Sequence, residues 1–188
     1  QGVSEIPLLM GVDEEGGLVS RLSSAKGMQA VTMPSAFTIG STGDASLATE
    51  AAEAIAKQLT VLGFNLDFAP VADVHTNPAN PVIGKRAYGT SPQVVSQMVA
   101  AAMEGFLNEE IIPVAKHFPG HGDTQTDSHV GLAVVPHDRA RMDAVELAPF
   151  RAAIAAGIPC VMTAHVSTPG ISDSDLPATL NPDRKSVV

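Results

Sequence analysis

The sequence is poor in cysteine, aromatic side chains and basic residues, and it has no long apolar run. Its one cysteine, Cys160, excludes a disulfide within the chain, and the surrounding apolar stretch predicts a buried thiol. With 11 Lys and Arg against 20 Asp and Glu, the net charge of −9 argues against a nucleic-acid or anionic-membrane partner. Because no apolar run approaches the ~18 residues of a membrane helix, we expect no membrane insertion.

The length and the hydrophobic pattern indicate one α/β domain over residues 1–188. Four apolar runs are typical of buried strands: Ile6–Val12, Phe64–Pro70, Ile111–Ala115 and Ile158–Val166. Three segments between them favour helices: Asp44–Leu62, Ser91–Glu110 and Asp138–Ala156, the last of which we expect to bend at Pro149. This alternation predicts a parallel sheet, either a barrel or an open sheet.

The connections between these elements differ in length according to their direction. Helix-to-strand connections are short, whereas strand-to-helix connections are long: residues 13–43, 72–90, 116–137 and from 167 onward. In α/β folds the functional site is built from the loops that follow the carboxyl ends of the strands. Since nearly all the suggestive polar residues lie in these loops, we expect the site there.

The loop after the third predicted strand has the sequence KHFPGHGDTQTDSH at residues 116–129. Asp127 and His129 could form an acid/base pair, because histidine titrates near neutrality and an adjacent aspartate fixes its tautomer. An Asp-x-His pattern alone is weak evidence. The loop also offers ligands for zinc: His117, His121, Asp123, Asp127 and His129. Against zinc, Pro119 and Gly120 separate the first two histidines, and the common metallohydrolase patterns are absent.

Other polar residues follow the remaining strands. Asp13 ends the first strand, and the glycines at 16–17 let the backbone turn sharply beside a ligand. Arg21 and Arg86 could clamp ligand oxygens with their planar guanidinium groups. Further candidates at strand ends are His75, Asn77 and His165. Each also has a structural alternative, as part of an acidic turn, a surface ion pair or a buried hydrogen bond.

Taken together, these blocks resemble one family of enzymes. The motif KHFPGHG, followed after four residues by Asp-Ser-His, is similar to the signature of the β-N-acetylglucosaminidase branch of glycoside hydrolase family 3. Three other blocks resemble that family in the same order: DEEGG at 13–17, NLDFAPVAD at 65–73 and GKRAYG at 84–89. The resemblance extends from about Ile6 to Leu180.

The resemblance implies a TIM-type (β/α)8 barrel, which this chain covers only in part. It implies retaining hydrolysis of terminal, non-reducing β-linked N-acetylglucosamine in a glycan or muropeptide, often in bacterial peptidoglycan recycling, and neither a metal nor another cofactor is expected. His129 would be the general acid/base and Asp127 its partner. The sugar-binding residues would be Asp13, Arg21, Arg86, Lys116 and His117.

The sequence also departs from the family pattern. The family nucleophile is an aspartate at the end of a later strand, so we expect it beyond Val188. Asp173 and Asp175 lack the family's surroundings and are interpreted as loop residues. A barrel has eight strands in ~250 residues, and the tail at 184–188 does not match the family. We therefore expect the chain alone to be weakly active or inactive.

Two alternatives to this function stay open. The first is a family 3 enzyme with another sugar preference, or a phosphorylase in which phosphate opens the covalent intermediate. The second is a sugar-binding fragment without catalytic activity.

Overall fold

A computed structural model describes residue 6, residues 8–127 and residues 129–182. Ser128 of the loop motif and the tail at 184–188 lie outside these ranges. In chain order the elements are β1 (Gly11–Val12), β2 (Glu14–Gly16), β3 (Val19–Ser20), α1 (Arg21–Ser24), α2 (Ala36–Gly40), α3 (Ser46–Val61), β4 (Leu66–Asp67), a 3-10 turn (Gly84–Arg86), α4 (Pro92–Asn108), β5 (Ile112–Phe118), β6 (Ala133–Val134), α5 (Arg139–Ala144), α6 (Ala148–Ala155), β7 (Cys160–Thr163) and β8 (Val166–Ser167).

The central sheet has the strand order β1-β4-β5-β7, and every neighbouring pair is parallel. Because the strands follow one another in sequence order, crossovers of the usual right hand bring all the connecting helices to one face. Helix α3 packs against α4, and α4 packs against α6, as expected for a row of helices on that face. The α/β prediction with a parallel sheet is confirmed, and this sequential winding is that of a barrel.

The strands differ from the predicted ranges at their ends. Strands β1 and β4 are shorter than predicted, whereas β5 continues to Phe118. Lys116 and His117 therefore lie on a strand and not in a loop. The pairing of β5 with β7 shifts register between Lys116 and Phe118, which indicates a bulge at His117. A bulge changes the direction of side chains near the end of a strand, and here it lies beside the polar loops.

The predicted helices are present, but the third is two helices. Asp138 caps α5 by accepting a hydrogen bond from the Arg141 backbone N–H at 2.8 Å. The chain then breaks, and α6 begins at Ala148 with Pro149 in its first turn. Proline has no backbone N–H, so it is tolerated in a first turn but not in a helix interior. In place of the bend expected at Pro149, the helix is broken completely at residues 145–147, just before that proline.

The long connection after β1 contains elements that the sequence pattern did not indicate. Strands β2 and β3 form an antiparallel hairpin, which is followed by α1 and α2. The buried Glu14 carboxylate accepts hydrogen bonds from the backbone N–H groups of Arg21 and Leu22, at 2.7 and 3.0 Å. This side chain satisfies two free donors at the start of α1 and holds the hairpin against it.

The hydrophobic core lies between the sheet and the helices. Its largest buried members include Leu59, Met98, Phe106, Phe118 and Phe150. The rings of Phe118 and Phe150 meet edge to face with centroids 5.3 Å apart, which ties the end of β5 to α6. Among the described residues, no helix combines the length and apolar character needed to span a membrane.

The close contact between α3 and α4 depends on Gly105. A Cβ at this position would lie 2.4 Å from the Thr49 carbonyl oxygen and 2.9 Å from the Ala52 Cβ. The clash is with backbone, so we take the upper part of the usual overpacking range, about 2–3 kcal/mol, against a gain of about 1 kcal/mol in helix propensity. We therefore expect Gly105→Ala to lower the free energy of unfolding by about 1–2 kcal/mol.

Thermal or denaturant unfolding of the full-length gene product measures this change. Gly89→Ala is the matched control, because its nearest neighbour would lie 3.8 Å away, and its effect should stay within about 0.5 kcal/mol. Equal stability of the two variants would contradict the proposed role of Gly105.

Candidate active site

A buried lysine joins the carboxyl ends of β1 and β5. The Lys116 Nζ lies 2.8 Å from Asp13 Oδ1 and 2.6 Å from Glu15 Oε1. Only 1% of the Lys116 side chain is exposed, against 40% for Asp13. An ammonium group with so little access to water needs both carboxylates, because burial of an unpaired charge is strongly unfavourable.

Glu15 extends this ion pair to the 3-10 turn. Its two carboxylate oxygens accept hydrogen bonds from Arg86 Nε at 2.9 Å and Arg86 Nη2 at 2.7 Å. Burial alone would raise the pKa of Glu15, but the Arg86 hydrogen bond and the attraction of Lys116 and Arg86 lower it overall. The carboxylate is thus held in its charged form between two cations.

His117 continues the chain of contacts toward β4. Its Nε2 lies 3.2 Å from Arg86 Nη2, and its Nδ1 lies 2.6 Å from Asp73 Oδ2. Because a guanidinium can only donate, Nε2 must accept, and the proton lies on Nδ1 facing Asp73. Burial would raise the pKa of Asp73, but the attraction that His117 exerts when protonated and hydrogen bonds from the His117 ring and the His121 N–H lower it overall.

We call these connected side chains the charged cluster: Asp13, Glu15, Asp73, Arg86, Lys116 and His117. Asp13 is 40% exposed, and Arg86 and His117 are each 17% exposed, so these three form its accessible face. Three carboxylates against Lys116 and Arg86 leave one net negative charge when His117 is neutral. The accessible face can therefore accept hydrogen bonds from hydroxyl groups and can also donate them to a polar, uncharged ligand.

The Asp127–His129 pair lies in the exposed part of the loop after β5. Asp127 Oδ1 accepts hydrogen bonds from the His129 backbone N–H at 2.9 Å and from His129 Nδ1 at 2.8 Å. The backbone hydrogen bond, followed by the ring hydrogen bond, lowers the pKa of Asp127. The His129 side chain is 83% exposed. Within the described ranges, no hydrogen bond joins this pair to the charged cluster.

The other candidates have different surroundings. Arg21 begins α1 at the surface, and its guanidinium has no hydrogen-bond or ion-pair partner among the described residues. Asn77 donates to the backbone carbonyls of Asp123 and Thr124, at 3.4 and 3.3 Å. His165 is exposed and contacts the Thr179 hydroxyl through Nδ1 at 2.8 Å. The sugar-binding roles given to Asp13, Arg21, Arg86, Lys116 and His117, and the acid/base role of Asp127 and His129, stay predictions.

Three of the five possible zinc ligands contact side chains outside that set. His117 contacts Asp73, His121 Nδ1 contacts the Thr124 hydroxyl at 2.7 Å, and Asp123 contacts His137. In the part of the chain that the structure describes, no three His, Cys, Asp or Glu side chains are placed to share a metal ion. The zinc alternative therefore gains no support from the geometry.

Two members of the charged cluster were missed by the sequence analysis. Glu15 stands two residues after Asp13 in a strand with alternating burial, and this spacing could have indicated that both face one side. Asp73 follows the buried segment 69–72, and an aspartate that ends an apolar run is a signal of the same kind. Neither signal identifies the partners, which come from distant segments.

The Lys116 contacts predict an effect on stability. Lys116→Met leaves Asp13 and the buried Glu15 without their shared cation, and we expect it to lower the free energy of unfolding by about 3–5 kcal/mol. Lys57→Met is the matched control, because Lys57 also lies between two carboxylates, at 3.7 Å from Glu53 and 3.4 Å from Glu109, but is 59% exposed.

The control should cost about 0–1 kcal/mol. Denaturant unfolding of both variants measures the difference. Similar losses in the two variants would show that burial does not set the strength of the Lys116 interactions.

Asp67 predicts a pH dependence of stability. It is fully buried, its Oδ1 accepts the Glu14 backbone N–H at 2.9 Å, and its Oδ2 has no hydrogen-bond partner among the described residues. Burial is the largest cause that raises its pKa well above the usual value. Ionisation therefore opposes folding, and the resulting loss of stability begins above the unfolded pKa of about 3.9 and increases as the pH rises toward the folded pKa.

Asp67→Asn removes this titration and keeps the size of the side chain. We expect the stability of the variant relative to the parent to increase between pH 4 and pH 8, measured by denaturant unfolding across that range. A relative stability that does not change with pH would contradict the raised pKa.

Comparisons with known proteins agree with the fold and with the motifs at this site. A sequence model described as the glycosyl hydrolase family 3 N terminal domain matches residues 1–184. "Beta-hexosaminidase A" of Pseudoalteromonas piscicida is 41% identical over 179 residues, which are 93% of this chain and 29% of that protein. "Beta-hexosaminidase LpqI" of Mycobacterium tuberculosis is 38% identical over 96% of this chain and 45% of that protein.

A solved structure extends the likeness to three dimensions. The glycoside hydrolase family 3 beta-N-acetylglucosaminidase from Paenibacillus sp. is 48% identical and superimposes with a TM-score of 0.90, over 94% of this chain and 33% of that one. The chain thus spans between 29% and 45% of these relatives' own lengths. The TIM-type barrel fold expected from the sequence is confirmed at the level of the family. The chain belongs to glycosyl hydrolase family 3, and its residues 1–184 match the model of that family's N-terminal domain.

Proposed function

We propose that this protein is a β-N-acetylhexosaminidase that removes terminal, non-reducing β-linked N-acetylglucosamine with retention of configuration. The observation that carries the proposal is the charged cluster at the carboxyl ends of β1, β4 and β5. The names of the relatives support the reaction class, since they are called beta-hexosaminidases and a beta-N-acetylglucosaminidase. The natural substrate that we propose is a bacterial cell-wall glycan or muropeptide.

The cluster suits a neutral sugar with many hydroxyl groups. Asp13 can accept hydrogen bonds from hydroxyls, while Arg86 can donate to a sugar oxygen from the accessible face. Lys116 is 1% exposed, so in this arrangement its main effect on the sugar is to fix Asp13 and Glu15. Arg21 would join the site only after its exposed side chain moves toward a bound sugar.

The net charge of the cluster also suits the reaction. Glycoside cleavage passes through a transition state that resembles an oxocarbenium ion, so positive charge develops on the sugar ring. One net negative charge fixed beside the ring stabilises this state more than the neutral substrate. The internal ion pairs hold the carboxylates in place and reduce the reorganisation that the reaction requires.

His129 would transfer the proton. Because the Asp127 carboxylate accepts from Nδ1, the second ring nitrogen, Nε2, is left to exchange a proton with the substrate. When protonated, Nε2 would donate to the leaving oxygen as the glycosidic bond breaks. The then neutral Nε2 would take a proton from the water that opens the covalent intermediate. We expect the nucleophile to be an aspartate outside this chain, as the family resemblance implies.

The acid/base role predicts a large kinetic effect. In the full-length gene product, we expect His129→Ala to lower kcat/KM for a β-N-acetylglucosaminide with a poor leaving group by about 10²- to 10⁴-fold. Gln125→Ala, an exposed position of the same loop, is the control and should keep the parent activity. Steady-state kinetics of the parent and both variants measure the effect. Parent activity in His129→Ala would refute the assignment.

Parallel measurements separate the alternatives. A sugar 1-phosphate formed only when phosphate is present would indicate a phosphorylase, whose anionic acceptor a neutral histidine does not repel. Binding of N-acetylglucosamine without turnover by the full-length protein would indicate a sugar-binding protein. Loss of activity with chelators would support the zinc alternative. Full activity of the 188-residue chain would place the nucleophile within it and make Asp173 and Asp175 the next targets.

A further inference from the structure

The loop that carries Asp127 and His129 has two ends, and a direct contact joins them. Asp123 Oδ2 lies 2.5 Å from His137 Nε2, across the loop residues 124–136. The side chains are only partly exposed, at 21% for Asp123 and 24% for His137. Asp123 is one of the possible zinc ligands named above, and the proposed acid/base chemistry uses neither residue directly.

The first end of the loop is fixed to the connection after β4. The Thr76 hydroxyl donates to Asp123 Oδ1 at 2.7 Å. The Asn80 side-chain amide donates to the carbonyls of His121 and Thr124, at 2.8 and 3.0 Å, and the Asn80 side chain is buried. Asp123 therefore contacts a rigid neighbouring connection through one oxygen and His137 through the other.

The second end of the loop is fixed by β6 and by His137. Ala133 and Val134 pair with Val166 and Ser167 of β8, and His137 follows two residues after the end of this pairing segment at Val135. The contact with Asp123 joins this end to the first one. Together with β6, it sets the distance between the two ends of the loop.

Between these ends, short-range hydrogen bonds within the loop stabilise it. His129 donates to Asp127, and the backbone N–H groups of Val130 and Gly131 donate to the Asp127 carbonyl at 3.0 and 3.1 Å. These contacts make Asp127, His129, Val130 and Gly131 one compact turn. The position of the turn relative to the barrel mouth therefore depends on the ends of the loop.

We propose that Asp123 and His137 are positioning residues that aim the Asp127–His129 turn at the leaving oxygen of the substrate. This inference rests on the proposed acid/base role of His129. A proton donor must lie within hydrogen-bond reach of the atom that it protonates, and a displacement of about 1 Å can lower the rate about 10²-fold. Loss of the Asp123–His137 contact should impair proton donation and leave the binding face of the charged cluster unchanged.

Leaving-group dependence distinguishes this role from a structural one. We expect His137→Ala in the full-length protein to lower kcat/KM about 10- to 10²-fold for an N-acetylglucosamine disaccharide, whose poor leaving group needs a proton. For the 2,4-dinitrophenyl glycoside, which leaves without protonation, the loss should stay below about twofold. His137→Gln should restore most of the disaccharide activity, because its amide N–H can still donate to Asp123.

A nearby control tests for unspecific effects on α5. Arg139→Ala breaks the exposed ion pair between Arg139 and Asp143, two residues beyond His137, and should leave both substrates at parent rates. If His137→Ala does not fold, Thr76→Val removes the hydroxyl that holds Asp123 Oδ1 and should give a smaller loss with the same leaving-group dependence. An equal loss on both substrates, or no loss, in the folded variant would overturn the proposal.

Hydrogen exchange separates failure of this inference from failure of the proposed function. His137→Ala should speed amide exchange at residues 129–131 and leave α4 unchanged, whether or not the protein is a glycosidase. A parent protein that cleaves no β-N-acetylglucosaminide would refute the proposed function alone. Unchanged exchange at residues 129–131 in His137→Ala would refute the positioning role alone.

Discussion

The placement of the Lys116 ammonium group between Asp13 and Glu15 is the interaction on which the site depends. It connects the end of β5 with the turn after β1, across 103 positions of sequence, and the Lys116 and Glu15 side chains have almost no access to water. Loss of hydration costs several kcal/mol per buried ion, so these charges are stable only as a set. The constraint extends outward, because Glu15 fixes Arg86, Arg86 contacts His117, and His117 faces Asp73.

Lys116 and Arg86 are already paired with carboxylates of the charged cluster. The nearby acids Glu14 and Asp67 are therefore stabilised without a cation in direct contact among the described residues. Glu14 is buried beside the cluster and is stabilised by the free backbone N–H groups at the start of α1. Asp67 has no cation in direct contact, and burial, the largest influence on it, raises its pKa and favours the neutral acid. A charged Asp67 would add a repelling carboxylate next to Glu14 and Asp13. Asp13 is thus paired with Lys116, Glu14 accepts backbone N–H groups, and Asp67 is kept neutral by burial.

The sequence predicted the order of strands and helices because hydrophobic runs and caps such as Asp138 depend on residues that are near in sequence. It placed Lys116 and His117 in a loop, because a polar side chain normally ends an apolar run. Here the strand continues, since the polar side chains meet partners from segments that are distant in sequence. Glu15 and Asp73 were missed for the same reason: their importance comes from Arg86, Lys116 and His117, which are distant in sequence.

The proposed site divides its two tasks between a buried and an exposed part. A charged transition state is stabilised best by fixed groups with little water around them. The charged cluster meets that condition because ion pairs hold its side chains in place. Proton transfer in a retaining reaction has a different requirement, because the same group must lose a proton in the first step and receive one from water in the second. A histidine that is 83% exposed has ready access to water. An exposed side chain is held less firmly in one position. In the proposed arrangement, the contact between the two ends of the loop therefore keeps His129 near the substrate.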